Sequence, residues 1–462
     1  MLIVRKIPHD LSFGEVRELI NLHSQQQARM TRLLREYEGN NLELDVMPRK
    51  AEGKADNRVA HAFPYIISST ICGFMNAKPI IRTVEQELID DVFKYNDADK
   101  QNTSILLDMS IYGVGVEQFY LDRNGNTRFK RIDARDIIAI KDSSIEGEVF
   151  AIIKHFEVDG LGEDREEFVE IYYSDRIIRY YQSEDTVHSV TEEVHYFSMP
   201  PFIIYMNNEQ MIGDFERVLP IVGAYNKTQS NTLNAMQDIT NALMIISGAM
   251  LTDEQLRQVK ELRVLADDNI DAKMVYNEVP FNGEYLGQLR KDIFALSGCI
   301  DLTGEEVGNL SGSALKQRLV NLFYICSVKA NYLKEGYLKR IELIMNIHSL
   351  TSAVDVDEVI RNTEIEIKYN TLEDDTAMLQ LVAGLSDIVS KETLLGLLGD
   401  KIVSVEDELA KIQAEKEQNM ANFSFMQDSN GHLAHDEDTE SDNEDTEDVE
   451  ADTDEEEQAE EV

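Results

Sequence analysis

The 462-residue sequence contains no tryptophan, few prolines and only three cysteines, Cys72, Cys299 and Cys326. The cysteines show no Cys-x-x-Cys spacing and cannot all pair, which argues against a disulfide framework or a zinc knuckle. No run of 18 uncharged apolar residues is present, and the N-terminus lacks the basic and apolar segments of a signal peptide. These absences predict a soluble protein of a reducing cytoplasm.

Residue patterns that carry catalysis are also missing. There is no Gly-x-x-x-x-Gly-Lys-Ser/Thr loop, and the stretch from Gly308 to Lys316 has the wrong spacing to surround phosphates. No Gly-x-Ser-x-Gly elbow or His-Glu-x-x-His helix occurs, and the nine histidines do not cluster at metal-ligand spacing. Acidic pairs such as Glu305-Glu306 can bind a cation or act as acid and base, but solvated loop charge is the favoured interpretation. We predict no catalytic residue, no metal ligand, no cofactor and no enzyme.

Basic residues are scarce relative to acidic ones. The chain has 44 Lys and Arg against 87 Asp and Glu, a net charge of −43. Asp436 to Val462 contains 17 acidic residues and no basic ones, and the remaining 435 residues still carry −26. The basic footprint of a protein that grips duplex phosphates is therefore absent, although an acidic protein can still surround DNA. The polar composition beyond Met426 predicts a disordered tail.

Two kinds of periodicity predict an α+β fold, mainly helical, in about three compact units. Residues 113–205 are rich in β-branched and aromatic residues, which predicts a sheet, with Asn124-Gly125 as the turn of a hairpin. Further strands are predicted at Lys273–Val279 and Ile360–Tyr369. Helical spacing predicts helices at Leu11–Tyr37, His61–Ala77, Val84–Tyr95, Lys100–Tyr112, Leu219–Ser247, Thr252–Ala266, Glu284–Ser297, Ser311–His348, from Ser390 and over 406–418.

The helix predicted over Ser311–His348 is about 57 Å long and amphipathic, with a possible bend at Gly336. Helices of this length usually bury their apolar stripe in a coiled coil, a membrane or an assembly, and the charges here exclude a membrane. Its basic residues are interpreted either as a nucleic-acid or subunit-pairing stripe or as a solvated face, and a solvated or intersubunit face is favoured. They are Lys316, Arg318, Lys329, Lys334, Lys339 and Arg340.

Seven segments follow one another in a characteristic order and spacing. They are LLREYEGN (Leu33–Asn40), GFMNAKPI (Gly73–Ile80), YGVGVEQFYLDRNGNTRFKRIDARDIIAI (Tyr112–Ile140), YMNNEQMIGDFERVLPIVGAYNKTQSNTLNAMQDITNALMIISG (Tyr205–Gly248), GNLSGSALKQRL (Gly308–Leu319), SKETLLGLL (Ser390–Leu398) and VEDELAKIQAE (Val405–Glu415). In this order the chain resembles the portal proteins of tailed double-stranded DNA bacteriophages, in particular those of long-tailed phages of Gram-positive hosts. The resemblance covers about residues 30 to 420, and the acidic tail departs from it.

The resemblance implies a portal fold of wing, stem, clip and crown that assembles into a ring, typically of twelve copies, around a central channel. Carried onto this chain, it implies the following regions: wing, 1–213; stem helix, 214–248; clip, 249–281; returning stem helix, 282–299; tunnel loop, 300–311; the long helix and strand of the wing, 312–375; crown helices, 376–425; and the acidic tail, 426–462. The ring would occupy one vertex of the capsid.

The resemblance also implies partners and the residues that face DNA. Terminase would package double-stranded DNA through the channel without sequence specificity, and the DNA would leave through the tail. The other implied partners are the major capsid and scaffolding proteins and the head-completion adaptor proteins, with assembly in the host cytoplasm and a possible role in nucleating the head. The tunnel loop would present Thr303, Glu305, Glu306, Asn309 and Ser311, and the stem would line the channel with Lys227, Asn234, Asp238 and Asn241.

Two other functions fit the composition. An acidic adaptor would use its tail as a DNA mimic that occupies a basic partner, and an enzyme of unrecognised type would use carboxylates such as Glu305 and Glu306. Deleting Asp436–Val462 separates the conduit from the mimic, because a conduit should still close into rings while a mimic should lose its partner.

Overall fold

A computed structural model describes the fold of residues 1–51, 54–76, 81–82, 87–159, 165–183, 186–239, 243–247, 252–254, 257, 271–275, 283–301, 317, 319–369, 389–398, 405 and 408–416. The chain divides into two compact units, Met1–Leu372 and Glu373–Val462, and each is described by itself. Most of the helix predicted at Thr252–Ala266, nearly all of the tunnel loop and the whole acidic tail lie outside the described residues.

Helix α1, Phe13–Tyr37, begins at a capping box. The backbone N–H of Glu15 donates to the Ser12 hydroxyl, and the Glu15 carboxylate accepts from the backbone N–H of Ser12 at 2.9 Å. These two bonds satisfy donors that the first helical turn leaves without a partner. The helix predicted over this segment is confirmed, and the side chains at its predicted apolar spacing are buried, among them Val16, Leu19, His23, Met30 and Leu33.

Four further helices follow before the sheet region. They are α2 (Leu42–Asp45), α3 (Phe63–Met75), α4 (Glu87–Tyr95) and α5 (Ala98–Tyr112). Helix α3 ends at Met75, two residues before the predicted end at Ala77, and Asn76 is its C-cap. Helix α5 ends as predicted at Gly113, whose φ of +84° is accessible to glycine at little cost.

The predicted sheet region of residues 113–205 is confirmed and divides between two sheets. The strands of the first unit are β1 (Leu2–Lys6), β2 (Ile81–Arg82), β3 (Val114–Leu121), β4 (Thr127–Ile132), β5 (Ile137–Asp142), β6 (Val149–Asp159), β7 (Arg165–Tyr172), β8 (Arg176–Ser183), β9 (Thr186–Val194), β10 (Phe202–Met206), β11 (Leu243–Ser247), β12 (Asp271–Val275) and β13 (Ile365–Glu366). One sheet has the order β1-β5-β6-β7-β8-β9, and the other has the order β10-β3-β4. Strand β1, which the periodicity did not reveal, pairs parallel with β5, whereas the other neighbours in both sheets are antiparallel.

The hairpin between β3 and β4 turns at the predicted Asn124-Gly125. Gly125 has a φ of +80°, and the Asp122 carboxylate accepts from the backbone N–H groups of Asn124 and Asn126 at 2.9 Å. An aspartate that bonds the backbone of its own turn in this way stabilises the reversal between the two strands.

Helix α1 packs on one face of the six-stranded sheet, where Val16 and Leu19 lie in one apolar cluster with Ile138, Ile153 and Ile171. His23 of α1 and His155 of β6 are buried at this interface, and the His23 Nδ1 lies 2.8 Å from the His155 Nε2. The His23 Nε2 has no hydrogen-bond partner among the residues that the structure describes. Burial lowers the pKa of His23 to about 3 and that of His155 to about 4, so both rings are neutral near pH 7.

Acid should therefore weaken this interface. The unfolded histidines bind protons below pH 6.5 while the folded ones do not, so the stability they contribute is complete above pH 6.5 and is lost as the pH falls towards 4. We expect His155→Gln to flatten the dependence of the free energy of unfolding on pH between 6.5 and 4.5 by up to about 1.4 kcal/mol per pH unit. Urea denaturation of both proteins at several pH values measures the two slopes.

The control for this prediction is His9→Gln. His9 is exposed, and hydrogen bonds to the Ile7 carbonyl and to Glu15 raise its pKa, so its contribution to stability has the opposite sign. Parallel curves for the wild type and His155→Gln would show that the buried pair does not titrate as proposed.

Helix α6, Leu219–Ile239, is shorter than the sequence predicted. The helical prediction over Leu219–Ser247 is wrong at its C-terminal end, where Leu243–Ser247 forms β11 and pairs antiparallel with β12. The apolar run of β11 fits a strand and a helix equally well, and periodicity alone cannot separate the two in so short a segment. Helix α7, Gly283–Ser297, confirms the helix predicted at Glu284–Ser297.

Helix α8, Val320–Ser349, confirms the long helix over the residues that the structure describes. The prediction that its stripe needs an assembly is wrong, because that stripe is buried within the same chain, where α8 packs against β10 and α3. Gly336, where a bend was predicted, faces the ring of Tyr205, and a Cβ there would lie 2.3 Å from that ring. The buried stripe residues are Leu322, Cys326, Ala330, Leu333, Tyr337, Ile341 and Ile344.

The strand predicted at Ile360–Tyr369 is largely wrong. Helix α9, Val356–Asn362, occupies its start, with the Asp355 carboxylate as the N-cap acceptor, and β13 is only two residues long. Strand β13 pairs with β2 rather than joining either larger sheet. A helix that begins at the capping Asp355 therefore forms where the alternating sequence pattern had predicted a strand.

In the second unit, α10 spans Lys391–Leu398, and residues 408–416 are helical. The Ser390 hydroxyl accepts from the backbone N–H of Thr393, which confirms the predicted helix start. Among the described residues of both units, no helix is long and apolar enough to cross a bilayer.

Candidate functional site

The residues predicted to line a channel are placed differently by the structure. Lys227 is exposed on α6, as a lining residue should be, whereas Asn234 is buried and hydrogen-bonded within the chain. Its burial corrects the prediction for Asn234, because a side chain that is held inside the subunit cannot face a channel. Asn241 and the side chain of Asp238 lie outside the described residues, as do the five predicted tunnel-loop residues, Thr303, Glu305, Glu306, Asn309 and Ser311.

An extended segment, Asn57–His61, runs along α6, and we call it the strap. The backbone N–H groups of Asn57, Val59 and His61 donate in turn to Asn234 Oδ1 at 2.6 Å, Ser230 Oγ at 2.9 Å and Asn226 Oδ1 at 3.0 Å. The three acceptors are four residues apart on α6, which corresponds to a rise of about 6 Å. The three donors are two residues apart in the strap, which corresponds to about 6.6 Å in an extended chain, so the two spacings match. The strap therefore fixes both the rotation and the axial position of α6.

Further bonds tie the strap to both of its neighbours. Asn234 Nδ2 donates back to the Asn57 carbonyl at 3.1 Å, and Asn57 Nδ2 donates to Gln237 Oε1 at 2.6 Å. The Arg58 guanidinium donates to three backbone carbonyls at the end of α2, those of Leu44, Asp45 and Met47, at 2.6 to 3.1 Å. Cations are favoured at a helix C-terminus, where carbonyls lack partners. Helices α2 and α6 are thus joined through the strap.

Removing the Asn234 side chain should release the strap. We expect Asn234→Ala to lower the free energy of unfolding by about 1–3 kcal/mol, because the partly buried N–H of Asn57 loses its acceptor. Hydrogen exchange at the amides of Asn57 and Val59 should accelerate, which a purely global loss of stability would not confine to the strap.

Asn231→Ala is the matched control, because Asn231 is exposed on the same helix. Its effect on the free energy of unfolding should stay within about 0.5 kcal/mol, as is usual for surface substitutions. Equal exchange rates in both variants would contradict the role of Asn234 in holding the strap.

The start of α6 is fixed from two other elements. The Arg29 guanidinium on α1 donates to the Glu216 carboxylate, with Nε to Oε1 at 2.8 Å, and to the Met211 carbonyl at 3.1 Å. The Lys329 ammonium on α8 pairs with the Asp214 carboxylate, and both side chains are almost fully buried. The turn that leads into α6 is therefore bonded on one side to α1 and on the other to α8.

The three cysteines are free, as the sequence predicted, and all three are buried. Burial raises the pKa of the thiols of Cys72, Cys299 and Cys326 to about 12. A thiol with a raised pKa carries little thiolate near neutral pH and is a poor nucleophile. In the described ranges, no three His, Cys, Asp or Glu side chains come together in a way that could hold a metal ion.

Arg340 of α8 lies at the centre of a buried polar cluster. Its Nε and Nη2 donate to the two carboxylate oxygens of Glu117 on β3, both at 3.0 Å, and its Nη1 donates to Asn102 Oδ1 at 2.7 Å. The Tyr205 hydroxyl also donates to Glu117, at 2.9 Å. Ring centroids of Phe129 and Tyr337 lie 4.7 and 5.0 Å from the guanidinium carbon. Hydrogen bonds and ring faces together offset part of the cost of burying the charge.

Two members of the predicted basic stripe are therefore inside the subunit. Lys329 and Arg340 have buried partners, Asp214 and Glu117, which corrects the interpretation of the stripe as a solvated or intersubunit face at these positions. Lys339 does lie at the surface, paired with Glu335 at 2.9 Å. No local sequence pattern indicated these two ion pairs, because the partners are far apart in the chain. The polar residues Asn226, Ser230 and Asn234, in contrast, recur every four residues and so mark the face of α6 that binds the strap.

These contacts can position a helix, and they do not assemble a reactive group. Helix α6 is bonded along its length by the strap and at its start by α1 and α8. Its side chains between Arg217 and Gln237 include no carboxylate. The arrangement holds α6 in one orientation relative to α1, α2 and α8.

Residues 17–421 match the family model described as phage portal protein, SPP1 Gp6-like. The chain belongs to this family. The portal protein of Clostridium phage phiCD119 is 23% identical over 296 residues, which cover 57% of this chain and 65% of that relative. The portal protein of Bacillus phage SPP1 is 21% identical over 425 residues, which cover 84% of this chain and 80% of that protein. The match thus spans slightly under two thirds of the clostridial phage protein.

A solved structure, the neck of an empty GTA particle computed with C6 symmetry, is 11% identical, with a TM-score of 0.44 over 80% of this chain and 93% of that chain. Family membership confirms the resemblance found in the sequence, the α+β portal fold class and the portal function. Both viral relatives come from phages named for Clostridium and Bacillus, which agrees with the predicted group of phages.

Proposed function

We propose that copies of this chain, twelve in the complete particle, close into a ring at one capsid vertex and form the channel through which DNA enters and leaves. The observation that carries the proposal is the match of residues 17–421 to the phage portal family. The anchoring of α6 by the strap, α1 and α8 supports it, because the wall of a channel must keep its position while DNA moves past it.

The regions implied by the sequence are proposed with the bounds that the structure gives to their elements. The first stem helix is α6, Leu219–Ile239, the β11-β12 hairpin belongs to the clip, and α7 is the returning stem helix. Residues 1–213 with 312–375 form the wing, 300–311 the tunnel loop and 376–425 the crown. Lys227, Asp238 and Asn241 are proposed to line the stem channel, and the tunnel loop is proposed to face DNA.

The charge of the chain suits a conduit. A channel that bound phosphates tightly would stall its cargo, whereas the net negative charge of each copy repels DNA over only about the 8 Å Debye length of physiological salt. Outside Asp436–Val462 the chain still carries −26, so each copy contributes to this repulsion. The absence of tight binding and of sequence readout is the property that lets DNA slide.

The proposed partners follow from the same role. The terminase large subunit would engage the ring during packaging, scaffolding and major capsid proteins would surround it, and head-completion adaptors would bind it afterwards. Assembly would take place in the host cytoplasm, and the mature location would be the portal vertex of the virion. The chain acts here as a structural protein without a catalytic step of its own.

Native mass spectrometry and negative-stain microscopy of the purified chain test the proposal. We expect rings with a central hole, formed alone or when scaffolding and major capsid proteins are supplied. A variant lacking Asp436–Val462 should still form rings, whereas a DNA mimic would lose its partner with that segment. Monomers or dimers under all of these conditions would refute the conduit.

A further inference from the structure

Two helical surfaces of this acidic chain carry no carboxylate. Asp and Glu make up 87 of 462 residues, yet none occurs between Arg217 and Gln237, which includes most of α6. None occurs between Val307 and Lys334 either, which includes the first half of α8. Copies with a net charge of −43 repel one another, and they can approach most closely where both surfaces lack negative charge.

The first half of α8 has an apolar outer face in addition to its buried stripe. Val320, Tyr324 and Val328 are 57%, 73% and 39% exposed and recur every four residues. At 100° per residue they lie about 160° around the helix from the buried residues Leu322 and Cys326. We call these three residues the α8 face. It points away from the core of its own chain.

The second half of α6 has a smaller apolar face. Leu233 and Met236 are 41% and 47% exposed, three residues apart on the helix surface. The strap cannot cover them, because it lies along the side of α6 that carries Ser230 and Asn234. We call these two residues the α6 face.

We propose that the α6 face of one copy packs against the α8 face of the next copy around the ring, an inference that rests on the proposed ring. A ring closes through a heterologous contact, in which two different surfaces of the same chain meet. Each copy offers one α6 face and one α8 face, so the contact repeats until the ring is complete. Both faces are mainly apolar and contain neither a carboxylate nor a Lys or Arg, which selects a second copy over DNA, because binding to duplex phosphates depends chiefly on basic side chains.

A glutamate placed on either face should prevent ring closure. We expect Met236→Glu and Tyr324→Glu each to remain monomeric by native mass spectrometry under conditions in which the wild type forms rings. Circular dichroism should match the wild type, and thermal unfolding should match that of the wild type at a concentration too low for ring formation, because both positions are exposed. Met236→Ser and Tyr324→Ser, which remove apolar area without adding charge, should raise the concentration needed for ring formation at least tenfold.

Two controls carry the same new charge at positions outside the faces. Asn231→Glu adds a carboxylate to the opposite exposed side of α6, and Leu350→Glu replaces an exposed apolar residue at the far end of α8. Both should form rings at wild-type concentrations. Loss of rings in both controls would mean that any added charge prevents assembly, which would overturn the assignment to these two faces.

Mixing the two glutamate variants tests the pairing itself. Met236→Glu keeps an intact α8 face and Tyr324→Glu keeps an intact α6 face, so an equimolar mixture should form one-to-one heterodimers that cannot grow. Rings from either variant alone, or a mixture that stays monomeric, would overturn the pairing while leaving the conduit intact. Failure of the wild type to form rings even with scaffolding and capsid proteins would refute the proposed function instead.

Discussion

Glu117→Gln is expected to lower the free energy of unfolding by about 3–5 kcal/mol, one of the two largest effects predicted for this chain. The substitution keeps the shape of the side chain and removes its charge, so the fully buried Arg340 guanidinium loses its counter-ion. The aromatic rings around Arg340 recover only part of this loss. Urea denaturation at one fixed protein concentration measures the change, since assembly makes stability depend on concentration.

A second substitution separates the buried charge from other effects. In the double variant Glu117→Gln with Arg340→Met, no unpaired charge remains and Tyr205 still has a side-chain acceptor at position 117. We expect the double variant to recover at least about 2 kcal/mol relative to Glu117→Gln. No recovery would show that the loss comes from packing instead.

Glu335→Gln is the matched surface control. Glu335 pairs with Lys339 one helical turn away, and both side chains are more than half exposed. An exposed pair of this kind contributes about 0.3–0.5 kcal/mol, so the same chemical change should have roughly a tenth of the effect. Equal losses at positions 117 and 335 would contradict the importance of burial.

Gly113→Ala is expected to destabilise the fold about as much as Glu117→Gln, because the new Cβ would clash with backbone atoms. Gly113 ends α5 with a φ of +84°, and a Cβ there would lie 2.0 Å from the Met211 carbonyl oxygen and 2.7 Å from the Ile212 nitrogen. Both neighbours are backbone atoms that cannot rotate away, so α5 and the loop before α6 must separate. We expect a loss of at least about 3 kcal/mol in the free energy of unfolding, measured by urea denaturation.

Gly125→Ala is the control that separates the clash at Gly113 from the conformational cost of a positive φ. Gly125 has nearly the same φ, +80°, but nothing lies within 4 Å of the position its Cβ would take. Only the conformational cost applies there, about 1–2 kcal/mol. If the two alanine variants were equally stable, the contact between Gly113 and the Met211 carbonyl would have no energetic consequence.

Local sequence patterns correctly predicted most structural features whose interacting groups lie close together in the sequence. The turn at Asn124-Gly125, the helix start at Ser390 and the glycine end of α5 at Gly113 each involve groups within about five residues, and each was confirmed. The errors occurred at β11 and α9. There a short apolar run or an alternating pattern fits two structures, and strand pairing or a capping aspartate decides between them.

The candidate site was predicted less well than the fold. The resemblance implied that α6 is a stem helix, but the prediction that Asn234 lines a channel failed because its partner, Asn57, lies 177 residues earlier in the chain. The same distance in sequence concealed the partners of Lys329 and Arg340. An isolated basic or amide side chain in a helical pattern gives no indication of whether a distant group will neutralise or bond it.

The sequence by itself determined the class of this protein: its ordered motifs place it among phage portal proteins, and its composition sets the acidic surface. Only the tertiary structure decided which sides of α6 and α8 face inwards. The physical reason is that burying an ionic or amide group has a high free-energy cost unless the group contacts its partner. These partners come together only when α1, the strap and the sheets have packed. The long stripe of α8, which the sequence assigned to neighbouring copies, is consequently occupied by its own chain, and a different face is left for the next copy.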